Sequence, residues 1–211
     1  MEYFDLLKNA GVIPVITIND ANKAPFLAEA LLKGGINCAE ITFRTAEAGE
    51  AIKLITKSFK DFFVAAGTVL TKDQADRAKD AGAKLFVAPG YNPELLDYCE
   101  KIGIPFIPGV ATPSEIGVAL YKGFGFLKLF PAEALGGVKY LKAVSAPYNT
   151  VKFMPTGGIS LENLKDYLSL KQVVCCGGSW IAPAKLIDAG DFKKITENAA
   201  EAMAAVKEAL K

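Results

Sequence analysis

Short apolar segments alternate with longer amphipathic segments along the whole chain. A short apolar run bounded by turn residues is typical of a buried strand, whereas apolar positions three and four residues apart are typical of a helix. Strands are therefore predicted at residues 12–18, 38–43, 63–68, 85–88, 106–110, 126–130, 151–156 and 173–177. Helices are predicted at residues 23–33, 46–56, 72–81, 93–101, 113–122, 138–145, 161–168 and 191–210, with an extra N-terminal helix near residues 2–9.

This alternation predicts the α/β class and a (β/α)8 TIM barrel, because eight strand–helix units form a parallel sheet that can close on itself. The 211 residues are near the lower end for this fold, which spans ~200 to over 400 residues. An open, doubly wound sheet is the alternative. No linker, charge run or low-complexity tract divides the chain, so we expect residues 1–211 to form a single barrel domain.

Proline and glycine follow several of the predicted strands, at residues 88–90, 107–109, 130–132 and 154–158. Proline has no N–H for the hydrogen-bond ladder of a central strand, so these residues indicate where the strands end. In a barrel, the carboxyl ends of the strands form the face that holds the active site. We therefore expect functional side chains at these strand ends.

The composition restricts the chemistry that is possible. Hydrophobic residues make up 51% and charged residues 22% of the chain, which favours a packed core. The net charge of +1 gives no electrostatic basis for binding nucleic acid or a membrane surface. Histidine is absent, which excludes a Ser-His-Asp triad, a Cys-His pair and a histidine zinc site. Proton transfer must therefore use Glu, Asp, Lys, Tyr or Cys.

The spacing of the four cysteines, Cys38, Cys99, Cys175 and Cys176, fits neither a disulfide framework nor a zinc cluster. We interpret them as buried thiols, and we expect no metal and no cofactor. The first ten residues carry scattered charges, unlike a signal peptide, and no apolar stretch approaches the ~18 residues of a membrane span. The expected location is the cytoplasm.

The strand predicted at residues 126–130 contains a single charged residue, Lys128, between two leucines. Side chains alternate along a strand, so the leucines face the outer helices and Lys128 faces the barrel interior. Desolvation favours the neutral form of an amine, which can attack a carbonyl and form a Schiff base. The alternative is a structural lysine whose ammonium group reaches solvent. Lys84 and Lys152 lie at strand starts, on the face associated with stability.

The second predicted strand has one polar face, which carries Glu40, Thr42 and Arg44. A buried carboxylate needs a partner, and Glu40 opposite Lys128 would be both counter-ion and proton carrier. Arg44, at the strand end, suits bidentate recognition of a substrate carboxylate. Thr68, at the end of the third strand, offers a hydroxyl group. The alternative is an ion pair with structural value only.

Glycine pairs end the last two predicted strands: Gly157 and Gly158 after the seventh, and Gly177 and Gly178, with Ser179, at the eighth. Barrels frequently bind phosphate with these two loops and the start of a short additional helix, for which residues 181–186 are the candidate. Backbone N–H groups cradle the anion, and glycine lets it approach them closely.

Five segments carry a resemblance to a known family: residues 40–45, 67–69, 128–133, 155–159 and 177–180. With them the chain resembles the 2-keto-3-deoxy-6-phosphogluconate (KDPG) aldolases, also described as 4-hydroxy-2-oxoglutarate aldolases. The segments run in the family's order and span nearly the whole chain.

The resemblance implies a role for each candidate residue. Lys128 would be the Schiff-base lysine and Glu40 the general acid and base. Arg44 and Thr68 would hold the pyruvyl carboxylate. The resemblance further implies that Pro89 and Phe130 line the site, and that the phosphate is held by Gly157, Gly158, Gly177, Gly178 and Ser179. Some family members have an arginine where this chain has Thr17. A homotrimer is also implied.

The implied function is that of a class I aldolase, a carbon–carbon lyase that needs no metal. It would cleave KDPG to pyruvate and glyceraldehyde 3-phosphate, and 4-hydroxy-2-oxoglutarate to pyruvate and glyoxylate. The partner is then a small-molecule 2-oxo acid, with no nucleic acid and no membrane. Two alternatives stay open: a phosphosugar isomerase or epimerase with Glu40 as base, and a non-catalytic phosphosugar-binding barrel.

Overall fold

The computed structural model describes residues 2–210; residues 1 and 211, the ends of the expected domain, lie outside the described residues. Between residues 2 and 210 there are nine strands: β1 (Val12–Ile16), β2 (Cys38–Thr42), β3 (Phe63–Gly67), β4 (Leu85–Val87), β5 (Phe106–Ile107), β6 (Gly109–Val110), β7 (Phe126–Leu129), β8 (Lys152–Pro155) and β9 (Cys176–Gly178). The α-helices of this range are α1 (Glu2–Ala10), α2 (Ala24–Lys33), α3 (Ala48–Ser58), α4 (Lys72–Asp80), α5 (Pro93–Lys101), α6 (Pro113–Tyr121), α7 (Gly137–Ser145), α8 (Leu164–Leu168), α9 (Ala184–Ala189) and α10 (Phe192–Ala209).

The strands form two parallel sheets. The larger has six strands in the order β5-β4-β3-β2-β1-β9, and the smaller has three in the order β6-β7-β8. The register places Glu40 beside Val15 and Ala65, and Lys128 beside Gly109 and Met154. The prediction of a single α/β domain with parallel strands is confirmed. Because the strands are parallel, their carboxyl ends lie at the same edge of each sheet.

Most predicted strands end within one or two residues of the observed ones, and two differ more. The segment predicted at residues 106–110 is divided into β5 and β6 by Pro108, which cannot donate to a ladder hydrogen bond. The last strand begins at Cys176, and Val173 forms only an isolated bridge with Phe153. In both places the apolar pattern correctly predicts a buried segment, but it does not predict which of its residues form the hydrogen bonds of the sheet.

Three of the helices begin at signals that are recognisable in the sequence. Thr71, Asn92 and Thr112 precede α4, α5 and α6, and each side chain accepts a hydrogen bond from a first-turn N–H group. Pro93 and Pro113 occupy first positions, where a missing N–H costs nothing. None of the helices between residues 2 and 210 is long and apolar enough to cross a membrane.

Candidate active site

A buried ion pair joins the two sheets. Lys128, on β7, donates a hydrogen bond from Nζ to Oε1 of Glu40, on β2, at 3.0 Å. The two residues are 2% and 0% exposed. The strand alternation expected from the sequence thus directs both side chains into the same enclosed space, although 88 positions separate them in the chain.

A glycine on the neighbouring strand makes room for the carboxylate. Gly67, on β3, lies beside Thr42 in the register of the sheet. A Cβ at position 67 would lie 2.6 Å from Cγ and 2.7 Å from Cδ of Glu40, and closer still to Oε1. Carbon atoms pack at roughly 3.5–4.0 Å, so a side chain at this position excludes the observed carboxylate.

The second oxygen of Glu40 is free to act. Oε2 is buried and has no hydrogen-bond partner among residues 2–210. An unpaired carboxylate oxygen in a buried site is costly, and a bound molecule that donates a hydrogen bond to Oε2 would remove this cost. The ring of Phe130 lies nearby, with its centroid 5.7 Å from Nζ of Lys128. The arrangement provides an amine, a proton acceptor and an apolar wall.

Two threonines fasten the turn that carries Arg44. The Thr42 hydroxyl donates to the carbonyl oxygen of Ile16 at 2.7 Å, and the Thr45 hydroxyl donates to that of Ile18 at 2.6 Å. The turn is therefore fixed to the end of β1 on both sides of the arginine. Arg44 itself is exposed and makes no hydrogen bond or ion pair with the rest of residues 2–210.

Thr17 lies directly after β1 and faces β2. Its Oγ1 is 3.3 Å from Oγ1 of Thr42. Because the Thr42 hydroxyl already donates to Ile16, Thr17 is the donor in this contact. The side chain at position 17 is thus neutral and is hydrogen-bonded to Thr42 of β2.

The remaining expected lining residues follow β3, β4 and β7. Thr68, directly after β3, has a φ of +56°, which is rare for a β-branched residue and typical of functional positions. Thr68, Pro89 and Phe130 are all half-buried. Phe130 is in contact range of Lys128, whereas Arg44, Thr68 and Pro89 are placed by the carboxyl ends of β2, β3 and β4.

The glycine segments divide into two kinds. Gly157 and Gly158, after β8, have φ values of +96° and +82°, which favour glycine. Gly177 and Gly178 are buried within β9. A Cβ at 177 would meet the side chain of Thr156, and a Cβ at 178 would meet the ring of Trp180. Ser179 is exposed, and the short helix expected from residue 181 begins at Ala184 as α9.

No metal-ligand cluster accompanies these residues. Within residues 2–210 there is no group of three or more Cys, Asp or Glu side chains able to hold a metal ion. All four cysteines are buried and unpaired by disulfides. Burial raises the pKa of Cys38 to about 12 and that of Cys99 to about 11, which keeps both as thiols.

The sequence pattern assigns no role to three residues near the site, Thr156, Glu133 and Tyr167. Thr156, at the end of β8, is 6% exposed, and the alternation of its strand could have identified it. Glu133 follows Phe130 and Pro131, and its carboxylate accepts a hydrogen bond from the hydroxyl group of Tyr167. No local pattern signals this contact, because the two residues belong to different strand–helix units.

Comparisons with known proteins agree with one another. The family model "KDPG and KHG aldolase" matches residues 4–198. The 2-dehydro-3-deoxy-phosphogluconate aldolase of Treponema pallidum is 48% identical over 193 residues, 92% of each chain. The KHG/KDPG aldolase of Escherichia coli K12 is 43% identical over 202 residues, 96% of this chain and 95% of the relative.

A solved structure of a KDPG aldolase shares the fold of this chain. The KDPG aldolase of Legionella pneumophila, with pyruvate captured as a covalent carbinolamine intermediate, superposes with a TM-score of 0.89 and 43% identity, over 93% of this chain and 96% of that chain. On the family match, the sequence identities and the shared fold, the chain belongs to the KDPG and KHG aldolase family.

Proposed function

We propose that this protein is a class I aldolase that cleaves KDPG to pyruvate and glyceraldehyde 3-phosphate. The observation that carries the proposal is the buried Lys128–Glu40 pair, in which one carboxylate oxygen holds the amine and the other is unpartnered. Family membership supports the substrate class. The carbinolamine captured in the Legionella relative supports an amine nucleophile.

The pair can generate the nucleophile without solvent. Transfer of one proton from Nζ of Lys128 to Glu40 leaves a neutral amine at 3.0 Å from a protonated carboxyl group. The amine attacks C2 of the 2-oxo acid. Glu40 gives its proton to the carbonyl oxygen and takes one from the nitrogen, which forms a neutral carbinolamine and leaves Glu40 protonated. Glu40 returns its proton to this hydroxyl, which leaves as water. The product is an iminium ion on Lys128 beside a carboxylate.

The same carboxylate then serves the cleavage. Glu40 takes the proton of the C4 hydroxyl, the C3–C4 bond breaks toward the iminium, and the aldehyde leaves. The remaining enamine takes the proton from Glu40 at C3, and water hydrolyses the resulting iminium to pyruvate and free Lys128. Every proton is moved by one buried residue, which suits a chain without histidine.

The substrate carboxylate would be held at the ends of β2 and β3. Arg44 offers a bidentate fork on a turn that two threonines keep fixed. Thr68 offers a hydroxyl on the next strand, and Pro89 and Phe130 supply apolar walls. Because these contacts address the 2-oxo acid portion, they apply equally to 4-hydroxy-2-oxoglutarate, which we propose as a second substrate.

The phosphate would bind at the ends of β8 and β9. Gly157, Gly158 and Ser179 lie outside the strands, where their N–H groups can reach an anion. Gly177 and Gly178 contribute through β9, where the side chains of Thr156 and Trp180 fill the space beside them. No lysine or arginine lies within these segments, so the binding would rest on backbone donors.

The architecture that supports this site is, we propose, one closed eight-stranded barrel. Only Pro108 separates β5 of the larger sheet from β6 of the smaller one. At the other junction, Thr156 after β8 forms a parallel bridge with Gly177 of β9. An open sheet would leave two unpaired edges, which these contacts argue against.

A homotrimer is the proposed assembly, and a cytoplasmic location stays a prediction. Val118 and Tyr121 of α6 are 51% and 91% exposed, and a subunit interface is a usual cover for such side chains. Light scattering coupled to size exclusion tests the assembly; a mass of one or two subunits would contradict it.

A retro-aldol assay coupled to pyruvate detection tests the proposed activity. We expect pyruvate release from both substrates by the wild-type protein and none by Lys128→Ala. Glu40→Gln should lose ~10²–10⁴-fold in kcat, the usual contribution of general acid–base catalysis. The control is Lys152→Ala, which should retain activity. In the wild-type protein the Lys152 amine donates a hydrogen bond to the backbone carbonyl of Lys171. An isomerase or a binding protein would release no pyruvate.

A further inference from the structure

The side chain and backbone of Glu133 join the loop after β7 to α8 and to the glycine loop after β8. Glu133, in the loop after β7, receives a hydrogen bond from the Tyr167 hydroxyl of α8. Its backbone N–H donates to the carbonyl oxygen of Gly157 at 3.0 Å. Ala132 donates in the same way to Thr156 at 2.9 Å. The loop that follows the lysine strand is thus joined to the proposed phosphate loop by two consecutive backbone hydrogen bonds.

Two glycines give the Glu133 side chain its position. A Cβ at Gly158 would lie 2.6 Å from Cγ of Glu133, so the methylene groups of Glu133 pack directly on that glycine. A Cβ at Gly137 would lie 2.7 Å from Oε1 of Glu133 and 3.3 Å from the Tyr167 hydroxyl. The carboxylate therefore occupies a notch between Gly137 and Tyr167, while its stem covers the backbone of Gly158.

Tyr167 is suited to hold this carboxylate in place as a hydrogen-bond donor. Its residue is 0% exposed, so the ring cannot turn away into solvent. Burial raises the pKa of Tyr167 well above its usual value, and the hydrogen bond to Glu133 raises it further. The phenol thus keeps its proton and remains a hydrogen-bond donor at neutral pH.

We propose that Tyr167 and Glu133 are a positioning pair that fixes the Gly157–Gly158 loop for a phosphate group and keeps the Glu133 charge away from it. The inference rests on the proposed function, since it concerns the phosphorylated end of that substrate. Released from Tyr167, the Glu133 carboxylate would be free to turn toward the loop and repel a dianion. Among the described residues, neither member of the pair forms a hydrogen bond or an ion pair with Lys128, so the pair acts on substrate preference.

The test compares two substrates in one variant. Tyr167→Phe should raise KM for KDPG about tenfold, as expected for loss of a hydrogen bond to a charged group. Its kcat and KM for 4-hydroxy-2-oxoglutarate, which has no phosphate, should stay close to the wild-type values. Tyr148→Phe, which loses a hydroxyl hydrogen bond to the backbone of Pro113, is the matched control and should change neither substrate selectively.

Glu133 variants separate the hydrogen bond from the charge. Glu133→Gln keeps an acceptor for Tyr167 and removes the charge, so KM for KDPG should not rise. Glu133→Asp keeps the charge, but its shorter side chain moves the carboxylate away from the Tyr167 hydroxyl. This variant should therefore show the same selective rise in KM for KDPG. It tests the inference even if Tyr167→Phe fails to fold. Equal changes on both substrates in Tyr167→Phe and Glu133→Asp, or no change on either, would overturn the inference.

Binding of inorganic phosphate gives a readout that is independent of turnover. Isothermal titration should show weaker phosphate binding by Tyr167→Phe than by the wild-type protein and Tyr148→Phe. Equal affinity in all three proteins would overturn the positioning role and leave the aldolase proposal intact. Failure of the wild-type protein to release pyruvate would instead refute the proposed function itself.

Discussion

Replacement of Gly67 with alanine would place a methyl group where the Glu40 carboxylate lies. The added Cβ would be 2.6 Å from Cγ and 2.7 Å from Cδ of Glu40, against the roughly 3.5–4.0 Å at which carbon atoms pack. The carboxylate must therefore move by about 1 Å, and a misplacement of about 1 Å costs a reaction roughly 10²-fold. Overpacking should also destabilise the fold by roughly 1–3 kcal/mol.

The assay is kcat/KM for pyruvate release, measured alongside the midpoint of thermal unfolding. Gly67→Ala should lose about 10²-fold in kcat/KM while it remains folded at the assay temperature. Gly125→Ala is the matched control, because a Cβ at Gly125 would have no heavy atom within 4 Å. A Gly67→Ala protein that unfolds at a lower temperature but keeps its kcat/KM would contradict this role of Gly67. The position of Glu40 would then matter for packing alone.

Two further outcomes follow from the geometry. Thr45→Val removes the 2.6 Å hydrogen bond that fixes the Arg44 turn, so KM for both substrates should rise about threefold to tenfold with little change in kcat. Thr45→Ser keeps the hydroxyl group and should have a KM close to the wild-type value. An unchanged KM in Thr45→Val would contradict the role of the turn. Burial raises the pKa of Cys38 to about 12 and that of Cys99 to about 11, so a thiol reagent at pH 8 should modify the native protein very slowly. After denaturation the same reagent should modify all four cysteines. Rapid reaction of the native protein would contradict the burial of the cysteines.

The central part of the site could be predicted because it depends on strand periodicity. A single charged residue in an apolar strand, and a polar face on another strand, place Lys128 and Glu40 inside the same space whatever the exact strand ends. The alternation of strands and helices likewise predicts parallel pairing. These features need only the two-residue period of a strand and the order of the elements.

What could not be predicted depends on packing between distant segments. The apolar pattern at residues 106–110 and the proline within it point to different strand ends, and hydrogen bonding to the neighbouring strands decides between them. Gly177 and Gly178 are buried within β9, where their missing side chains make room for Thr156 and Trp180, and no local pattern in the sequence signals these two contacts. The Tyr167–Glu133 contact spans 34 positions and has no local signature.

Identification of the lysine that forms the imine tests the account most directly. Wild-type protein is incubated with pyruvate and borohydride, which reduces an imine to a stable secondary amine, and the modified peptide is mapped by mass spectrometry. We expect one pyruvate-derived adduct, located on Lys128, and none in the Lys128→Ala protein. Labelling of another lysine, or stoichiometric labelling of Lys128→Ala, would contradict it.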